Sequence, residues 1–339
     1  MRYAFLILLA APLFAETSHI SAGFDGAAKT LPLEFFKPNP ALPTIEGREV
    51  EVPEDLKKAK AVWGTGAQSE KLDRLQPAPK TAFRFAVLGD IENGRFPWQR
   101  IFAPKGAAAK QLAAIHAASA DFILQLGDFV SKGNADNYRA YVRFLKAHVS
   151  IPMFHVIGNH DRSRPNGNAD KSLYSAVFGD GDYIRDYNGW RIVALDSSNY
   201  ALTDSQLEWL DAALSTDKKT IVATHIVPNY LKGKLHSVGP DKGVLIPEAY
   251  FEPGAARFGE ILARRKVARV YLGHIHAFGI GDVNGVKYVL TAGGGSPLYP
   301  LPPGYPSRRK AHYLIVEATG AGLSETVHEL DGTSFPIPW

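Results

Sequence analysis

The 339-residue chain contains no cysteine. No disulfide framework can therefore brace it, and its stability must come from a hydrophobic core, which a chain of this length buries amply. The apolar run near its start, residues 4–15, falls short of the ~20 residues a bilayer crossing needs. There is no Lys/Arg run or basic helix. With 38 basic against 34 acidic side chains the net charge is only +4, which argues against nucleic acid as a partner. Internal repeats are absent. The short apolar run has a use of its own: Arg2, the run to Ala15 and the polar sequence from Glu16 have the layout of a secretory signal peptide with cleavage after Ala15. Its removal takes Arg2 away and lowers the net charge to +3. The expected address is periplasmic or secreted, with no stable membrane anchor after cleavage.

Residues 16–80 are rich in proline (Pro32, Pro38, Pro40, Pro43, Pro53, Pro77, Pro79), have weak periodicity and carry no motif. They read as an extended arm on a main domain of residues 81–339. From residue 81 apolar β-type runs alternate with helical stretches. Phe83–Leu88, Phe122–Leu126, Met153–Ile157, Arg191–Leu195, Ile221–Ala223 and Val270–Leu272 read as buried strands. Ala107–Ala118, Ala135–His148, Ser205–Leu214 and Ala255–Arg265 read as helices, the third with a capping box from Thr203 and Gln206. This alternation is the pattern of an α/β domain, in which ligands sit beyond the carboxyl ends of the strands. Val283–Glu329 alternates strand-like runs with Gly-rich turns and reads as a second sheet.

Five short blocks follow the apolar runs and concentrate side chains of the metal-ligand type. They are Gly89-Asp90-Ile91-Glu92, Gly127-Asp128 with Gly133-Asn134, Gly158-Asn159-His160-Asp161, Thr224-His225 and Gly273-His274-Ile275-His276. Carboxylate, amide and imidazole donors suit one or two ions such as Mn, Fe, Zn or Mg. The glycine ahead of each ligand residue is expected to turn the chain sharply, so that the next side chain faces a shared cleft.

In this order the blocks resemble the calcineurin-like metallophosphoesterase superfamily, whose pattern runs Asp-x-His, Gly-Asp, Gly-Asn-His-Asp/Glu, His, Gly-His-x-His. The resemblance covers residues 83–330. It implies a two-sheet α/β/β/α sandwich and two metal ions, with Asp128 bridging, Asp90 and His276 on the first ion, and Asn159, His225 and His274 on the second. A shared carboxylate can hold two cations roughly 3.5 to 4 Å apart and yield a hydroxide that attacks phosphorus. By the same likeness His160 faces the substrate phosphoryl group, stabilising charge or protonating the leaving group. Asp161 would hold that imidazole and favour its protonated form. Arg162 is a candidate phosphate contact, with a surface arginine as the other reading.

The departure is Glu92, which stands where the family has histidine. Positions i and i+2 of an extended segment share a face, so Glu92 is a candidate ligand of the first metal. A supporting role, or a weak or empty first site, are its alternatives. Purple acid phosphatases lack that histidine too, but place a tyrosine three residues after the second-block Asp; here that residue is Ser131, so no tyrosinate-ligated iron is expected.

His19, His116, His148, His155, His312 and His328 lie outside the blocks and are taken as structural. His236 sits in a long loop that could overhang the cleft and read substrate. Gly293-Gly294-Gly295 has no following helix and no lysine at the spacing of a phosphate loop; a tight turn near the cleft is expected. Phe96, Trp98, Tyr230 and Tyr299 are stacking candidates or packing residues. The expected function is metal-dependent hydrolysis of a small-molecule phosphate ester by a metal-bridging hydroxide, with a monoester favoured over a diester. The alternative is a catalytically weak metal- or ligand-binding protein with an impaired first site.

Overall fold

The computed structural model describes residues 51–92, 103–165, 169–237, 250–296 and 310–339. Residues 1–15, expected as a leader cleaved after Ala15, and residues 16–50 of the expected arm lie outside these. Among the described residues the strands are β1 (Ala82–Leu88), β2 (Phe122–Gln125), β3 (Met153–His155), β4 (Tyr183–Tyr187), β5 (Trp190–Leu195), β6 (Lys219–Thr224), β7 (Val227–Pro228), β8 (Tyr250–Phe251), β9 (Arg269–Leu272), β10 (Phe278–Val283), β11 (Val286–Thr291), β12 (His312–Thr319), β13 (Leu323–Glu329) and β14 (Ser334–Pro336). The α-helices are α1 (Glu54–Trp63), α2 (Thr65–Leu75), α3 (Ala107–Ala117), α4 (Ala135–His148), α5 (Ser172–Val177), α6 (Asp204–Ala213) and α7 (Ala255–Arg264).

Two six-stranded mixed sheets form the centre, ordered β14-β13-β12-β1-β2-β3 and β10-β11-β9-β6-β5-β4. Within them β1, β2 and β3 run parallel, as do β5, β6, β9 and β11. Strand alternation sorts the side chains into layers. Phe83, Phe85 and Val87 of β1 meet Ile192, Ile221 and Tyr271 of the other sheet in the middle, where Phe85 stacks on Phe122 with centroids 5.1 Å apart. Ala86 and Leu88 face the opposite way, into a cluster with Leu112 of α3, Tyr138 and Leu145 of α4 and Leu56 of α1. Val222, Val270 and Leu272 of the second sheet pack outward against Leu210 of α6 and Phe258 and Leu262 of α7. The layers are thus helix, sheet, sheet, helix, an α/β/β/α sandwich. Among the described residues no helix is long and apolar enough to cross a membrane.

Two expectations are corrected. Residues 54–75, read as part of an extended arm, form α1 and α2. Pro53 does not oppose this, because it stands at the N-cap, where a missing N–H costs nothing. Leu56, Ala59 and Trp63 then line one buried face. Val283–Glu329 does not make a sheet of its own: β11 joins β9, whereas β12 pairs antiparallel with β1 and brings β13 with it. The capping box at α6 is present as expected, with the Gln206 N–H donating to Thr203 Oγ1 and the Thr203 N–H donating to Gln206 Oε1.

Candidate metal centre

Because β1, β2, β3, β5, β6 and β9 are linked by parallel pairings within their sheets, the loops that follow them gather at one edge of the sandwich. Three ligand-type residues in those loops hold left-handed backbone: Asp90 (φ 54°), Asp128 (φ 52°) and His274 (φ 74°). Each such residue costs about 1–3 kcal/mol and persists only where its surroundings fix it. They do so here. Asp90 N–H donates to Gly127 O, Ile91 and Glu92 N–H both donate to Asp128 O, and Ser296 N–H donates to Asp90 O, all at 3.0–3.1 Å.

The sharp turns therefore lie at the ligand residues more than at the glycines before them, which corrects the expectation. Of the four, Gly127 alone has positive φ. At Gly158 and Gly273 the need is space: an added Cβ would lie 2.2 Å from Asp128 Oδ1 at the first, and 2.9 Å from both Asp90 Oδ2 and His225 Nδ1 at the second.

The buried side chains Asp90, Asp128 and His276 bring ligand atoms within 4.8 Å of one another, and so do Asp128, His225 and His274; Asp128 belongs to both groups. His276 Nε2 lies 3.4 Å from Asp90 Oδ1, and His225 Nε2 lies 3.2 Å from Asp128 Oδ2. Asn159 joins the second group, its Oδ1 3.1 Å from His225 Nε2. Its Nδ2 donates to Pro165 O at 3.3 Å, which turns the oxygen toward the cleft. His225 Nδ1 lies 2.7 Å from Leu126 O and donates to it, leaving Nε2 as the nitrogen that can turn a lone pair to a metal once its proton is displaced.

Burial opposes ionisation of Asp128, but His225 and His160 beside it hold its carboxyl far below the usual carboxylate range. Burial likewise opposes a proton on His225, yet Asp128 prevails and raises the ring to about 9. At His274 burial and the His225 charge act together and push it well below the usual histidine range, so its ring is neutral. A metal entering the second group must therefore displace a proton from His225. The donor set fits divalent ions: carboxylate, amide and imidazole atoms converge, and two buried carboxylates sharing one cleft repel each other unless a cation lies between them.

Other expected site residues take different places. Asp161 does not hold the His160 imidazole. Its carboxylate is occupied by four backbone N–H groups, those of Asp128, Phe129, Val130 and Gly158, at 2.7–3.2 Å. Burial and Asp128 push this carboxyl upward, and the N–H donors pull against them. His160 is half-buried; its Nδ1 faces Ser131 O at 3.2 Å and its N–H donates to Asp128 Oδ1 at 2.9 Å.

Arg162 is fully buried, so the surface reading falls. Its guanidinium donates to Asn199 Oδ1, to Pro165 O and, at 3.4 Å, to Asn159 O. Glu92 is buried but belongs to neither ligand group; it lines a cavity of about 540 Å³ with Phe129, Ser131, Asn137 and Tyr141. Asn134 caps α4, accepting from Asn137 N–H. His236 is exposed and its backbone pairs with Ile280. Tyr230 bonds Tyr288 through their hydroxyls and packs on the outer core. Gly294 N–H donates to Gly89 O at 2.7 Å, which sets the glycine turn against the Asp90 loop. Phe96, Trp98, Tyr299 and His19 lie outside the described residues.

One loop at this edge carries no recognised block. Asp196–Tyr200 follows β5, and its Asn199 and Tyr200 touch Arg162 and His274. The available signal was positional, since an apolar strand ends there as at every other block.

The chain is 29% identical over 167 residues to a probable cyclic nucleotide phosphodiesterase of Synechococcus sp., a match covering 47% of this chain and 58% of that protein. The fold is similar to purple acid phosphatase from yellow lupin (Lupinus luteus) seeds, with a TM-score of 0.60 at 16% identity over 76% of this chain and 53% of that one. It is also similar to a dimetal phosphatase from Danio rerio, with a TM-score of 0.53 at 15% identity over 77% and 100%. The chain thus spans little more than half the length of the first two. Residues 83–278, more than half of the chain and the stretch that carries all the ligand loops, match the calcineurin-like phosphoesterase family, and the protein belongs to that family.

Proposed function

We propose that the protein hydrolyses a small-molecule phosphate ester in a metal-dependent reaction. The observation that carries this reading is the meeting of two buried ligand groups at Asp128. Two divalent ions held there would polarise the phosphoryl oxygens and activate the attacking water. Asp90 and His276 would hold the first ion, and Asn159, His225 and His274 the second.

The chain's own part is orientation and proton handling. Asp161 gathers the N–H groups of the 128–130 loop and of Gly158, so Asp128 and Asn159 are held from one anchor. His160 engages Ser131 O through Nδ1, which leaves Nε2 to meet a substrate oxygen and, when protonated, to donate to the leaving group. Mn, Fe, Zn and Mg all suit such donors.

The class of ester is the finer part of the proposal. A monoester comes first and a cyclic diester second, the latter because the Synechococcus relative is named as a probable cyclic nucleotide phosphodiesterase. The test is hydrolysis of an aryl phosphomonoester, a bis-aryl phosphodiester and a cyclic nucleotide, each with added Mn or with chelator. Chelator-sensitive turnover supports the reading and ranks the classes. Absence of turnover with every metal would overturn it in favour of a metal- or ligand-binding protein.

A further inference from the structure

The 197–200 loop reaches the three ligands that Asp128 joins in the second group through a different side chain each time, His274 directly and His225 and Asn159 through their neighbours. Ser197 Oγ accepts from Ile226 N–H at 2.8 Å and lies 2.7 Å from Thr224 Oγ1, so it grips both neighbours of His225. Asn199 Oδ1 accepts from Arg162 Nη1. The same guanidinium donates to Pro165 O at 2.8 Å, the carbonyl to which Asn159 Nδ2 also donates. The ring of Tyr200 meets the ring of His274 edge-on, with centroids 5.4 Å apart and planes at 81°. Ser197, Tyr200, His225, His274, Asn159 and Arg162 are all buried, so these contacts cannot be exchanged for water without reopening the edge of the sandwich.

The loop is itself fixed. Asp196 Oδ1 accepts from Ser198 N–H and Oγ at 2.9 and 2.6 Å, and its other oxygen pairs with Lys171. Tyr200 holds left-handed backbone (φ 59°), closed by its N–H on Ser197 O at 2.8 Å. Left-handed backbone is disfavoured for a bulky residue. The position is thus maintained against local preference, and the ring ends beside His274.

We infer that Ser197, Asn199 and Tyr200 are positioning residues for the second metal, setting the rings of His225 and His274 and the amide of Asn159 before any ion arrives. The inference rests on the two-metal reading above. Residues that orient metal ligands commonly change affinity about 10- to 100-fold when removed.

The test is Mn binding by the full chain, read as ions bound per chain and their dissociation constants, in wild type, Asn199→Ala, Asn199→Asp and Tyr200→Leu. Wild type should bind two ions. Asn199→Ala and Tyr200→Leu should weaken one of them about 10- to 100-fold and leave the other unchanged, whereas Asn199→Asp keeps an acceptor for Arg162 and should retain both. Asn199→Ala should add no further loss in a His225→Ala background, but should weaken the remaining ion by the same factor in a His276→Ala background. Melting of the chelated variants separates misfolding from ligand misplacement, and Tyr200→Leu serves if Asn199→Ala does not fold. Two ions bound with unchanged constants in both loop variants overturn the inference, as does Asn199→Asp binding as weakly as Asn199→Ala. A wild type that binds fewer than two ions overturns the two-metal reading instead, and the inference with it.

Discussion

Asp161→Asn separates two roles that one carboxylate could play. In the protein Oδ2 accepts from Asp128 N–H at 2.9 Å and Gly158 N–H at 2.7 Å, and Oδ1 from Phe129 N–H at 3.0 Å and Val130 N–H at 3.2 Å. Asparagine keeps the shape but replaces one oxygen with an NH2 group, which turns its own hydrogens toward two N–H donors. Flipping the amide only changes which pair is stranded. A buried donor without an acceptor costs about 1–3 kcal/mol, so two cost at least about 2 kcal/mol, and Asp161→Ala, stranding all four, about 4 kcal/mol at the same low rate. Against a total stability on the order of 5–15 kcal/mol, either loss moves a urea midpoint measurably in chelated protein. Metal affinity should fall as well, because either stranded pair loosens the 128–130 loop that carries the ligand residue Asp128. If Asp161 instead held the His160 imidazole, turnover would fall and the midpoint would stay. An Asp161→Asn protein with the wild-type midpoint refutes the reasoning.

Burial pushes His155 down to about 3 and His312 down to about 4. The unfolded chain therefore takes up these protons near pH 6.5 while the folded one refuses them, and stability falls as pH drops below 6.5, by about 5 kcal/mol for His155 once pH 3 is reached. Urea midpoints at pH 7, 6 and 5 should fall less steeply in His155→Gln than in wild type; parallel curves would contradict this. Gly158→Ala places a methyl 2.2 Å from Asp128 Oδ1 and is expected to reduce Mn bound per chain, a loss that ion counting after dialysis would detect. Glu92→Ala should leave the number of bound ions unchanged, because Glu92 belongs to neither ligand group; loss of one ion would restore it as a ligand.

What the sequence disclosed follows from what each feature depends on. Strands buried on both faces must be continuous apolar runs, so β1, β2, β5, β6 and β9 could be read directly, and with them the edge where the loops converge. Ligand side chains advertise themselves by type, which is why Asp90, Asp128, Asn159, His225, His274 and His276 could all be picked out. Direction does not advertise itself. Asp161 adjoins His160 in sequence, but its carboxylate answers to the N–H groups of residues 128–130, some thirty positions away, and only the pairing of β2 with β3 brings them together. A surface place was one of the two readings of Arg162, because arginine is usually exposed, yet three acceptors from residues 159, 165 and 199 surround its guanidinium. The helical spacing of Leu56, Ala59 and Trp63 was present all along, hidden by flanking prolines that bracket helices as readily as they exclude them. Ser197, Asn199 and Tyr200 carry no metal-binding character of their own. They act on the centre through Thr224, Arg162 and a ring edge, and a role exerted through a neighbour becomes visible only when that neighbour is in place.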